Sequence, residues 1–301
     1  MIIKSISNSA VLNKLKTVFP IGVQYMLLSA IGFALMSACV KLVSHYGIPV
    51  VEIIAARAAI SLLLSYMVVR RKKISIWGEN KPLLVARGSI GALALFCVYY
   101  SVTTFPLAEA TILQYLNPVF TAILALIILK EKIQRSTIVC ILLSVLGLIV
   151  MVKQGLFFDY SSSLPWFNVT IALVGALGSA IAYVIVRKLT ITEDSSVIIF
   201  YFPLIALPIS VILMWNNFVM PNIEALILLI FVGLFTQVGQ LGLTNAMKTE
   251  SAGKATAYSY IQVIFSISLG FIIFQEVPSF WTLLGGGLII SGALINVLWK
   301  R

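Results

Sequence analysis

The side chains with chemistry to offer are mostly polar and uncharged, and they stand at helical spacing inside apolar segments. Within 107–129, Thr111, Gln114, Tyr115 and Pro118 recur at i, i+3, i+4 and i+7, with Asn117 immediately before the proline. Residues so spaced share one face of a helix, and the proline removes one helical hydrogen bond. That face is both polar and locally weakened. A later segment, 253–274, carries Thr256, Ser259 and Tyr260 on a matching face, with Gln262 and Ser266 nearby. In 223–246, Gln237, Gln240 and Thr244 follow at i, i+3 and i+7. Amides and hydroxyls of this kind bind a polar solute by hydrogen bonds without transforming it; otherwise they join helices, at about 0.6 kcal/mol per contact. The converging Gln and Tyr groups favour substrate binding. Tyr99, with Tyr100, Tyr258 and Tyr260, adds ring faces for a cation or a planar heterocycle.

Charges inside apolar segments are expensive and therefore informative. Lys41 closes the first segment and Glu52 opens the second, so they can pair across the short hairpin 44–49 as a structural bridge or an outer gate. Arg57 lies a further five residues in, about 7.5 Å deeper by helical rise. With no carboxylate near it in sequence, it must find a partner across the bundle, backbone carbonyls, or an anionic group on a substrate. Arg87 is close enough to a segment end to snorkel toward water. Glu131 and Glu276 end matching segments and are expected to bind loop backbone or neighbouring helix ends. Enzyme chemistry is not expected. The single histidine, His45, falls in a loop, and Cys39, Cys97 and Cys140 lie in separate segments, so neither a metal cluster nor a catalytic triad assembles, and no cofactor is implied.

The elements that must position these groups follow from composition. The chain has 301 residues, 60% hydrophobic and only 10% charged, against roughly 25% charged in soluble domains. It is a membrane protein. A spanning helix needs about 20 apolar residues, and ten runs fit: 21–43, 49–69, 82–104, 107–129, 137–152, 166–186, 196–215, 223–246, 253–274 and 280–298. Helical runs of this length exclude an outer-membrane barrel, and no residues remain for a soluble domain. The net charge of +11 could indicate nucleic acid, but the basic residues sit in short loops between apolar runs, where they set orientation. Seventeen Lys and Arg fall on one side of the ten-span arrangement and only Lys153 on the other, which predicts cytoplasmic N- and C-termini.

Sliding 104–147 by 145 positions onto 249–292 aligns twelve identical residues without a gap, among them Thr111/Thr256, Tyr115/Tyr260, Phe120/Phe265, Glu131/Glu276 and Gly147/Gly292. Shared Thr, Tyr, Glu and Gly positions are hard to ascribe to apolar composition. Two five-span halves result, and because five is odd the second enters the membrane inverted, the architecture of alternating access. The expected organisation is a cytoplasmic tail at 1–20, a first repeat at 21–153, a linker at 154–165 and a second repeat at 166–299.

The repeated segment Ala108-Glu109-Ala110-Thr111, Asn117-Pro118-Val119-Phe120, Leu129-Lys130-Glu131 and Gly147, echoed by Gly253-Lys254-Ala255-Thr256, Phe265, Gln275-Glu276 and Gly292, resembles the EamA-type carriers of the drug/metabolite transporter superfamily. The resemblance covers about 22–298 and implies an all-α fold of ten transmembrane helices in two inverted five-helix repeats, with a central cavity lined by the first four spans of each half. It departs at Val263, which stands where a second Pro118 would be, so the local unwinding expected at Pro118 does not carry over to the ninth span. The function expected is carriage of a small polar or amphipathic metabolite across the inner membrane; a channel or a lipid-moving scaffold is the alternative. Its partners would be that small-molecule metabolite and the lipid bilayer, with no nucleic acid. The chain would act as a monomer, or as a homodimer through Gly285, Gly286, Gly287 and Ser291 of the last span.

Overall fold

The computed structural model describes residues 20–104, 113–156, 166–215, 217–275 and 280–299, the side chains at 99, 102–104, 151–156, 166 and 282 excepted, and these residues contain helices and turns but no strand. The helices are α1 (Ile21–Ser44), α2 (Val50–Arg71), α3 (Lys81–Thr104), α4 (Asn117–Ile128), α5 (Arg135–Leu156), α6 (Trp166–Leu189), α7 (Ser195–Met214), α8 (Ile223–Thr249), α9 (Ala252–Ala257), α10 (Ile261–Phe274) and α11 (Phe280–Leu298). A 3-10 turn, Tyr258–Tyr260, joins α9 to α10, and the three make one crossing. Seven crossings are long and apolar enough to traverse a bilayer within the described residues, and α4, α5 and α11 supply shorter apolar stretches.

Local signals place the helix ends. Pro20 and Pro49 precede α1 and α2, while the Asp194 and Asn222 side chains accept from the Ser196 and Ala225 N–H groups, at 2.8 Å each, at the starts of α7 and α8. After α4 and α10 the chain turns through a left-handed residue, Lys130 (φ 54°) and Gln275 (φ 55°). These two positions are 145 apart, as are the helix starts Ile21 and Trp166, Val50 and Ser195, Arg135 and Phe280. The repeat visible in 104–147 therefore extends over the whole fold.

Packing between helices obeys the same exchange. The α1–α8 contact corresponds to α3–α6, α2–α8 to α3–α7, and α1–α10 to α4–α6, while α2–α7, α4–α9 and α5–α11 each map onto themselves. Lipid offers helices no hydrophobic reason to associate, so close approach at small residues matters more than in water. A Cβ on Gly88 would come within 2.6 Å of Ile205, and one on its equivalent Gly233 within 2.5 Å of Ile60, itself the equivalent of Ile205. Gly147 likewise abuts the Gly285 carbonyl on α11, and Gly292 abuts the Cys140 carbonyl on α5. Large apolar side chains face outward, as Ile127 and Ile272 do at 66% and 65% exposure. The bundle is thus apolar outside and joined within by reciprocal contacts.

Polar locks gather at the Lys/Arg-rich end. Glu131 accepts from Arg187 Nε and from the Ala252 N–H at the start of α9, both at 2.8 Å, and Arg187 Nη1 donates to the Met247 carbonyl at 2.7 Å. The helix-end role expected of Glu131 is what the geometry gives; Glu276 lies outside the described residues. Lys72 bonds Asp194 at 2.8 Å. Partial burial works against the Asp194 carboxylate, but the Lys72 ammonium and the Ser196 N–H and hydroxyl outweigh it and hold its carboxyl below the ordinary range. At the opposite end Tyr46 donates to Glu224 at 2.7 Å, which pushes the phenol pKa up because ionisation would break that bond.

Candidate functional site

The fourth crossing breaks at Tyr115–Leu116, immediately ahead of α4, with Pro118 in the first turn of that helix, where its missing N–H costs little. The Tyr115 carbonyl exposed by the break accepts from the Tyr260 hydroxyl at 2.9 Å. The two rings stack, centroids 5.8 Å apart and planes 26° from parallel. Tyr115 and Tyr260 are repeat equivalents, so the pair meets on the axis that exchanges the halves. Backbone irregularity at membrane depth needs such a partner. The ninth crossing runs on without interruption but tightens into a 3-10 turn, Tyr258–Tyr260, that ends at the equivalent of Tyr115. It has no proline there. Instead Thr256 Oγ1 donates to the Ala252 carbonyl at 2.8 Å and Ser259 Oγ to the Thr256 carbonyl at 2.7 Å, hydroxyl bonds that compete with the α-helical ladder.

Beside the stacked tyrosines lies a cavity of about 60 Å³, room for roughly four or five waters. Gln114 and Asn117 line one side, and their equivalents Ser259 and Gln262 line the other. Tyr115 and Pro118 contribute from the break. The far wall is asymmetric: Met26, Ser29, Ala30 and Phe33 of α1, Tyr183 of α6 and Leu243 of α8. The α1 residues were not singled out from sequence, and nothing in an unbroken apolar run marks Met26 or Phe33. Tyr183 could have been found, as the only tyrosine in its span.

The remaining candidates sit around this centre. Gln237 bridges α8 to α2, its Oε1 accepting from Ser61 at 2.6 Å and its Nε2 donating to Ser65 at 2.9 Å. Gln240 lies one turn beyond Leu243 and faces Arg87 Nη2 at 3.5 Å. Thr244 is buried and Thr256 is engaged with its own helix. Thr111 and the side chain of Tyr99 lie outside the described residues. Of the charged candidates, Glu52 accepts from the Val219 N–H at 3.0 Å, and Lys41 lies over the Phe274 ring at 4.4 Å. Arg57 points inward, its guanidinium 5.5 Å from the Phe202 ring centroid.

Arg87 does not snorkel. It is 3% exposed, and its guanidinium lies 5.2 Å from the same Phe202 ring. Gly91, one turn along α3, makes the inward course possible, since a Cβ there would meet Arg87 Nη1 at 2.5 Å. Among the described residues no group of three or more His, Cys, Asp or Glu could hold a metal ion.

Ten crossings in two halves related by exchange, with a polar cavity where equivalent residues meet, define a membrane transporter of the inverted-repeat kind. Residues 20–153 and 166–298 each match the EamA-like transporter family, and the chain belongs to that family, within the drug/metabolite transporter superfamily. It is 34% identical over 274 residues to the pseudopaline exporter CntI of Pseudomonas aeruginosa, an alignment spanning 91% of this chain and 94% of that one. It is 32% identical over 294 residues to solute carrier family 35 member G1 of Homo sapiens, spanning 93% and 80%. A crystal structure with 17% sequence identity superposes at a TM-score of 0.78 over 95% of this chain and 98% of its own, a likeness of fold.

Proposed function

We propose that the chain is a secondary active or facilitative carrier that moves a small polar or amphipathic metabolite, amino-acid-like, nucleoside-like or vitamin-like, across the inner (plasma) membrane by alternating access. One observation carries this reading: Gln114 and Asn117 face their own repeat equivalents, Ser259 and Gln262, across a cavity on the exchange axis. Rocking one half against the other about such a site exposes it to each side of the membrane in turn. At about 60 Å³ the cavity is contracted, well below the roughly 300 Å³ of pockets that enclose small molecules, so the cargo must part the halves to enter. The basic loops favour cytoplasmic termini. The export activity named for the Pseudomonas relative supports a small-metabolite cargo.

The test begins with a thermal-shift screen of the purified protein against amino acids, nucleosides and vitamins, in which a ligand at 100 times its Kd stabilises by about 2.7 kcal/mol. Hits then go to counterflow assays in proteoliposomes. Saturable, trans-stimulated flux is the expected result. Flux that neither saturates nor shows counterflow would reject the carrier in favour of a channel.

A further inference from the structure

Two buried guanidiniums converge on one ring in the middle of the bundle. Arg57 enters on α2 and Arg87 on α3, each about 10 Å along its helix by rise, from opposite ends of the membrane, and both end beside Phe202. They are 5% and 3% exposed. Their polar contacts are poor: Arg57 Nη1 reaches only the Met36 sulfur at 3.8 Å, Arg87 Nη2 reaches Gln240 Oε1 at 3.5 Å, and both Nε atoms are buried without a partner. Arg187 is the contrast within the same chain, with a carboxylate and a carbonyl on its guanidinium at 2.8 and 2.7 Å. Among the described residues no carboxylate pairs with either Arg57 or Arg87.

Two like charges buried together without an anion are costly in a low-dielectric interior, and a phenyl ring offsets only part of that cost. The place is not remote from the cavity. Met36 and Gln240 lie one helical turn from Phe33 and Leu243 of the cavity wall, and the Tyr183 ring of that wall lies within electrostatic reach of both guanidiniums. On the carrier reading, we propose that Arg57 and Arg87 form a subsite for an oxyanion of the transported metabolite, a carboxylate or a phosphate, while Gln114, Asn117 and Gln262 bind its uncharged polar part. Each guanidinium offers the planar fork that recognises such groups. The cargo is then an anionic metabolite, and its arrival supplies the missing counter-charge.

The experiment titrates citrate, glutamate and inorganic phosphate, with adenosine and uridine as uncharged comparators, into the purified wild type and into Arg57→Gln and Arg87→Gln, reading thermal shift and then counterflow. Either a carboxylate series or phosphate should stabilise the wild type, which separates the two sources, and each substitution should weaken that binding by about 30-fold or more. The ligand-free variants should melt no lower than the wild type, because each loses a buried unpaired charge. Lower melting of the ligand-free variants, or oxyanion binding that survives both substitutions, would overturn the subsite. Saturable counterflow of an uncharged solute, unchanged in both variants, would overturn the subsite and leave the carrier standing. Oxyanion binding that depends on both arginines but drives no counterflow would do the reverse.

Discussion

Tyr260→Phe is the most direct probe of how the two halves hold each other. It keeps the ring, and so the 5.8 Å stack with Tyr115, but removes the hydroxyl that donates to the Tyr115 carbonyl at 2.9 Å. A buried neutral hydrogen bond contributes about 1 kcal/mol net, and a carbonyl left without a donor costs about 1–3 kcal/mol. The Tyr115 carbonyl sits at a chain break beside Pro118, where the bundle offers few substitutes, so the loss should fall at about 2 kcal/mol, close to 30-fold in an equilibrium constant. Two measurements read it. Unfolding of the purified protein should show the destabilisation directly, and hydrogen exchange of peptides covering 113–120 should accelerate. Should stability and exchange both match the wild type, the Tyr260 hydroxyl would not be what closes the broken fourth crossing, and the argument from the axis would fail.

Two further outcomes are expected. Gln237→Leu breaks the bonds to Ser61 and Ser65 and should cost about 1 kcal/mol of stability, because interhelical bonds in lipid average about 0.6 each; a double-mutant cycle with Ser65→Ala should recover part of that as coupling energy. The Asp194 carboxyl is held below its ordinary value of 3.8, so its stabilising contribution is complete above that pH and is lost as pH falls below it through the folded value; unfolding midpoints measured from pH 5 downward should show this slope, and Lys72→Met should flatten it.

The sequence makes the frame of the fold legible, since apolar run length and loop charge locate ten crossings and a shift of 145 residues pairs the halves. That shift could be read only in 104–147, where equivalents still share residue types. Elsewhere the backbone keeps the register while the side chains have diverged, as Arg57 and Phe202 have. At the cavity, Gln114, Asn117, Ser259 and Gln262 were visible because polar residues stand out at helical spacing in an apolar run. The α1 wall was not, since Met26 and Phe33 differ from lipid-facing neighbours only in what packs against them. Arg87 illustrates the same limit: its depth is in the sequence, but its direction depends on the room left by Gly91 and on a ring from α7. The 3-10 turn at Tyr258–Tyr260 is written in hydroxyls rather than in a proline, a weaker signal.

The contacts between the halves are those of an isologous dimer, in which whatever one unit presents the other presents in return. In such an assembly of two identical units, a residue on the axis meets its own copy. Tyr115 and Tyr260 still do. An arginine at the place of Arg57 would face a second arginine, two like charges in a dry interior. Joining the units in one chain lifts that restriction, because each position can then change alone, and Arg57 against Phe202 is a pairing that two identical units could not have made.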